Sequence, residues 1–406
     1  MKVLFIHQNF PGQFVHLSAE LAKDAANQVV ALTMSEHAVP AGVQARRYSL
    51  LRPSAPETHP LLQNQESHVL RAEACAAAAF KLKQDGFTPD VIVAHPGWGE
   101  ALFIKDVYPQ AKVVMYCEYY YAAEGQDVGF DPETPALTFA DRCRLRMRNV
   151  TNLLSMEIAD AAISPTEWQK STYPAWARDK ITVIHDGIDL ERVRFNPQAR
   201  LTLAGADGKG QLEFQPGDEV LTYVARNLEP VRGFQVFMRA LPEVLRRRPK
   251  AHAIIVGGDE VSYGQQAPGG VSWKAHMLAE VGAELDMSRV HFLGKVSYQH
   301  YLNLLSISRV HAYWTTPFVL SWSFLEAALN GLPLLASDTT PVLEFAAQLG
   351  VRTEKFFAHR AFAERISDLL AVSRRQPSPT TLPKLDKAHC VDATRRILNN
   401  LVPQRS

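Results

Sequence analysis

A chain of 406 residues is long enough for two domains, each able to bury its own core. An apolar fraction of 47% and a charged fraction of 21% exclude disordered and fibrous classes, and 43 Lys and Arg against 42 Asp and Glu leave no global field for binding nucleic acid. The four cysteines, Cys75, Cys117, Cys143 and Cys390, stand without CxxC or Cys/His spacing, which argues against a zinc site or a disulfide framework and fits a reducing cytoplasm.

The opening MKVLFIHQNFPGQF holds an apolar run too short for a signal sequence, and no stretch approaches the roughly 20 apolar residues of a membrane span. A cytoplasmic protein is expected, with peripheral attachment to a membrane left open. Short apolar runs at 3–6, 29–33, 91–94, 113–117, 161–164 and 181–184 alternate with longer amphipathic segments, the pattern of a parallel sheet covered by helices. Phe14, Leu17 and Leu21 predict a helix over 13–25. A second series of runs follows at 220–224, 253–256, 290–293, 311–314 and 334–336, with a helix over 234–245.

Periodicity lapses at 195–207, so the expected domains are 1–195 and 196–375. Residues 376–406 form a Pro- and Ser-rich linker and a terminal helix. The Gly-rich stretches 205–210 and 257–270 lack the Walker pattern and read as surface loops.

Candidate chemistry sits at the ends of these runs. Gly12 occupies the turn after the first strand, where backbone can approach a ligand closely. His95 and Glu118 follow the runs at 91–94 and 113–117, at the carboxyl ends of strands, where open α/β sheets place their ligands. Tyr119 and Tyr120 belong to an aromatic cluster that could equally stack on a sugar or pack at a sheet edge. The stretch 315–346 reads as loop, helix, Gly-Leu-Pro turn, strand and helix, and a helix N-terminus opening on a loop suits an anion. Glu326, about one turn in, could accept two ribose hydroxyls; a capping box with Ser323 is the structural alternative.

This stretch resembles the donor-binding segment of the group 1, family 4 retaining glycosyltransferases, matching at Glu326, Ala327, Gly331, Pro333, Ala336, Ser337, Asp338, Pro341 and Glu344. Phe318 stands where that family has its first glutamate. Residues 222–241 resemble its GRLxxxKG element, with Arg226 and Arg232 at the diphosphate-clamping positions, and 180–195 resembles its VIxNGVDxxxF segment. The resemblance implies the GT-B architecture: two Rossmann-like lobes facing a cleft, with the C-terminal helix crossing back to the first.

It further implies a retaining transfer of a hexose-type sugar from a UDP or GDP sugar to a glycan or glycolipid hydroxyl. Arg226, Arg232, Gly12 and the amides near Leu320 and Ser321 would hold the diphosphate, and Glu326 the ribose. Phe318 and Val319 would lie near the donor sugar, Tyr119 and Tyr120 near the acceptor, and Glu118 and His95 at the chemistry. With no DxD motif and no metal-spaced cluster, metal-independent catalysis is expected, with no cofactor beyond the nucleotide-sugar co-substrate. A sugar-nucleotide 2-epimerase on the same plan and a non-catalytic nucleotide-sugar-binding subunit remain as alternatives.

Overall fold

Val3, Leu4, Phe5 and Ile6 are all fully buried in β1 (Lys2–Ile6), as a strand covered on both faces requires. The computed structural model describes residues 1–204, 210–372 and 382–402; most of the 205–210 stretch and much of the Pro- and Ser-rich segment lie outside the described residues. The chain divides into two units, Met1–Gly187 with Leu382–Ser406, and Ile188–Thr381. The division thus falls earlier than the expected boundary after 195, and the terminal segment belongs to the first unit.

In the first unit β1 is joined by β2 (Gln28–Thr33), β3 (Gln44–Arg47), β4 (Val91–Ala94), β5 (Lys112–Tyr116), β6 (Ala161–Ser164) and β7 (Ile181–Val183). All pair in parallel, in the order β3-β2-β1-β4-β5-β6-β7. Alternation sorts the side chains to two faces. Leu4, Ile6, Ile92 and Val113 meet Cys75, Ala79 and Leu82 of the helix Gln63–Gln84, whose small residues allow close approach. Val3, Phe5, Val91 and Val93 meet Leu17 and Leu21 of the helix Val15–Lys23, together with Val391 and Leu398 of the terminal helix Lys387–Leu401. The expected helix over 13–25 is therefore shorter, preceded by a 3-10 turn at Gly12–Phe14.

The second unit opens with an antiparallel pair of β8 (Leu201–Ala204) and β9 (Gln211–Phe214), the first of them within the 195–207 region where strand patterning lapses. Its Phe214 packs in a cluster with Ile254, Val256 and Ile307. The main sheet contains β10 (Val220–Asn227), β11 (His252–Gly258), β12 (Val290–Gly294), β13 (Val310–Tyr313), β14 (Leu334–Ser337) and β15 (Arg352–Glu354). These are parallel in the order β12-β11-β10-β13-β14-β15. In each sheet the order therefore reverses beside the central strand, between β1 and β4 and between β10 and β13. Such switch points leave a crevice at the strands' carboxyl ends.

Candidate functional site

At the first unit's switch point β1 runs into His7, β4 into His95 and β5 into Glu118. Asn9 N–H donates to His7 Nδ1 at 2.9 Å, so the ring proton lies on Nε2, 2.8 Å from Gln13 Oε1. That contact turns the Gln13 amide so that its Nε2 donates to Glu118 Oε1 at 2.9 Å. On the other side Gly97 N–H donates to His95 Nδ1 at 3.0 Å, leaving the His95 proton on Nε2, 3.4 Å from Glu118 Oε2. The alignment there is too poor for a hydrogen bond, so this buried N–H has no formed partner.

Burial would raise the Glu118 carboxyl, but His95 and the Gln13 donor outweigh it and hold the group below the usual carboxylate range. With its side chain 34% exposed, Glu118 is an ionised carboxylate within reach of a ligand. Burial drives the His7 imidazole down to about 3, so it stays neutral. Trp98, at the end of the 3-10 turn Pro96–Trp98, stacks on His95 with centroids 4.5 Å apart.

At the second unit's switch point the loops after β10 and β13 are knitted together. Gly233 adopts φ +65°, and a side chain there would overlap Trp314 Cβ at 2.4 Å. Thr316 N–H donates to Val231 O at 3.0 Å. Arg232, only 8% exposed, donates from Nη1 to Thr315 Oγ1 at 2.8 Å and to Val319 O at 2.9 Å. Its guanidinium lies 5.6 Å from the ring centroids of both Tyr263 and Phe318. Its Nε and Nη2 donate to nothing, and no carboxylate pairs with it, among the described residues. A buried guanidinium with free donors and no counter-ion is a receptor for an anion.

Arg226, at the end of β10, is exposed and unpaired among the described residues. Glu326 is 6% exposed within the helix Trp322–Leu329 and accepts from Tyr298 Oη at 2.7 Å; burial raises its carboxyl above the ordinary range.

Four expectations change. Tyr119 is 5% exposed and its hydroxyl donates to Asp127 Oδ1 at 3.0 Å, so it is not open to an acceptor; Tyr120 is partly exposed beside Tyr173. Ser321 is the helix N-cap, and its own N–H is taken by Tyr313 Oη at 2.9 Å, so of the two expected amides only that of Leu320 has no partner among the described residues. Because the cap is Ser321, the capping box between Ser323 and Glu326 does not form. The stretch 257–270 is no mere surface loop: Tyr263 N–H and Gly264 N–H donate to the fully buried Glu229 at 3.1 and 2.9 Å, which carries the Tyr263 ring to Arg232. His7, Gln13 and Trp98 went unrecognised in the sequence, although His7 follows its strand as His95 follows β4.

Residues 25–193 match the profile of the glycosyl transferase family 4 group, and residues 218–371 that of the glycosyl transferases group 1. A D-inositol 3-phosphate glycosyltransferase from Streptomyces coelicolor is 29% identical over 83 residues, a segment spanning 19% of this chain and 18% of that relative. Among solved structures, the sucrose-phosphate synthase of Thermosynechococcus elongatus superposes with a TM-score of 0.70 at 16% identity, over 99% of each chain. A UDP-forming α,α-trehalose-phosphate synthase from Burkholderia xenovorans gives a TM-score of 0.66 at 13% identity, again over 99% of each. With the two profiles falling one after the other along two Rossmann-like units, the chain belongs to the group 1, family 4 glycosyltransferases of the GT-B fold.

Proposed function

We propose that this protein transfers a hexose-type sugar from a nucleotide-diphosphate donor, a UDP or GDP sugar, to a hydroxyl of a glycan or glycolipid, with retention of configuration. The observation that carries this reading is Arg232, a buried guanidinium whose Nε and Nη2 are unused. A leaving diphosphate gains negative charge as the bond from the anomeric carbon to its phosphate oxygen breaks, and fixed donors aimed at that charge lower the barrier by on the order of 3 kcal/mol each. In this reading Arg226 and the Leu320 amide complete the diphosphate site, and Glu326 takes the ribose hydroxyls. Phe318 and Val319 border the donor sugar.

In the first unit Gly12 offers bare backbone to a phosphate, and the ionised Glu118 beside His95 receives the acceptor hydroxyl. The new bond to the anomeric carbon forms on the face the phosphate leaves, and the departing phosphate takes the acceptor's proton. The residues invoked need neither a metal nor a cofactor. No helix among the described residues is long and apolar enough to cross a membrane, and a cytoplasmic site of action with acceptors reached at a membrane surface is part of the same proposal.

Calorimetric titration of UDP, GDP and ADP into wild type and Arg232→Ala tests the reading. One nucleotide should bind, and binding should weaken at least about tenfold in the variant. Binding of none of the three would overturn the nucleotide-sugar reading, and binding with no turnover toward any acceptor would favour the non-catalytic subunit. Conversion of a nucleotide sugar to its 2-epimer without any acceptor would favour the epimerase.

A further inference from the structure

We infer that the first unit's switch point is a binding site for an uncharged carbohydrate ring, with Trp98 as its stacking surface and Glu118 as its hydroxyl acceptor, and that a phosphate carried on that ring is disfavoured beside Glu118, the donor's own diphosphate being assigned to the Gly12 turn. The inference rests on the transferase reading only in calling this ring the acceptor.

Three features combine here. First, Trp98 is partly exposed and stacked on His95 at an interplanar angle of 27°, while the edge of His7 holds it from a second direction at 5.1 Å. An indole fixed by two neighbours is a preformed platform for the C–H face of a pyranose, and it loses little conformational entropy on binding. Its own N–H donates to nothing among the described residues, so a polar donor remains at the rim. Second, Glu118 is ionised and reachable, its Oε1 oriented by Gln13, so its free lone pairs accept from sugar hydroxyls. Third, His95 Nε2 lies 3.4 Å from Glu118 Oε2 and helps hold that carboxylate below its ordinary range, so the oxygens facing a ligand stay ionised acceptors.

The charge pattern sets the specificity. No lysine or arginine makes a hydrogen bond, ion pair or cation–π contact with His7, Gln13, His95, Trp98 or Glu118 among the described residues. The leading electrostatic partners of Glu118 are His95 and His7, and burial holds the latter neutral. The ionised Glu118 carboxylate repels a phosphate placed beside it and favours neutral hydroxyls, and no lysine or arginine contact offsets it among the described residues.

The test uses the full-length protein saturated with whichever of UDP, GDP or ADP binds. Methyl α-glucoside, methyl α-galactoside and methyl α-mannoside are compared with the 6-phosphates of the same hexoses, by saturation-transfer difference NMR and calorimetry. At least one methyl hexoside should show saturated ring protons, and its 6-phosphate should bind at least about tenfold more weakly. Trp98→Ala should abolish the ring-proton signal while nucleotide binding stays intact. Should that variant fail to fold, Glu118→Gln is the second test, and it should narrow the gap between neutral sugar and phosphate. Equal or tighter binding of a hexose phosphate, no binding of any methyl hexoside, or an unchanged signal in Trp98→Ala would overturn the inference. Nucleotide binding, followed in the same samples, reports separately on the donor reading.

Discussion

The imidazole of His7 fills the space that a side chain on Gly12 would need. A Cβ built on Gly12 falls 2.6 Å from both Cε1 and Nε2 of His7, and Gly12 sits at φ +46°, a region that L-residues enter at a cost. The turn after β1 therefore accepts only glycine while His7 keeps its bond to Gln13.

Gly12→Ala should consequently act twice. Backbone strain and the displaced ring together should lower the free energy of unfolding by about 1–3 kcal/mol, measured by urea titration. Displacement of His7 should also release Gln13 from Glu118, so the Glu118 carboxyl, followed by carbon-detected NMR, should titrate at a higher pH than in wild type. A variant as stable as wild type, with Glu118 titrating unchanged, would show that the contact does not hold the network.

How far the sequence disclosed this arrangement depends on what each residue is buried against. Buried parallel strands announce themselves as apolar runs, and β1, β4, β5, β10 and β13 lie where such runs predict them. The edge strands β3 and β15 read QARR and RTE, polar or charged at nearly every position and with no fully buried residue, and carry no such signal. His95 and Glu118 were legible because their positions follow strands, and the structure brings them within 3.4 Å. The Tyr119 hydroxyl finds Asp127 only through the path of the loop after β5, which no periodicity records. Likewise the coupling of the 257–270 loop to Arg232 runs through backbone N–H groups bound to Glu229, a tertiary fact invisible in residue spacing.

Glu326 offers a test that separates nucleoside from diphosphate recognition. As an acceptor of two ribose hydroxyls it should matter to UDP or GDP and not to pyrophosphate. Glu326→Gln should weaken binding of the preferred nucleotide about tenfold or more, with pyrophosphate affinity unchanged, since hydrogen bonds to a charged group contribute about 1.5–3 kcal/mol. The stability effect has the opposite sign. Burial raises the folded-state pKa of Glu326 above its unfolded value, so the ionised form opposes folding above that pKa and the penalty fades as pH falls through it. At neutral pH the variant should therefore be at least as stable as wild type, with the difference shrinking toward acid. Equal weakening of nucleotide and pyrophosphate binding would remove Glu326 from the ribose.

Three buried histidines each lower the stability of the fold toward acid. His7, His185 and His311 are 2%, 8% and 0% exposed, and burial drives them to about 3, 4 and 3 from an ordinary 6.5. Each is neutral when folded but binds a proton when unfolded below pH 6.5, so the unfolded state gains protons and stability falls as pH drops from 6.5 toward the folded pKa. Between pH 7 and pH 5 the loss is about 2 kcal/mol per histidine. Buried acids with raised pKa values, Glu100, Asp127 and Glu326, work against this trend, so the net pH dependence of wild type mixes both signs. His311 isolates the effect, because burial is its sole perturbation and the ring's one hydrogen bond among the described residues runs between Nδ1 and the Thr222 hydroxyl at 2.9 Å. In His311→Gln the pH 7 to pH 5 difference in the second unit's unfolding free energy should shift by about 2 kcal/mol toward smaller loss, read from urea titrations at the two pH values. An identical difference in wild type and variant would mean that His311 takes up its proton in the folded state, and would contradict its burial as a neutral ring.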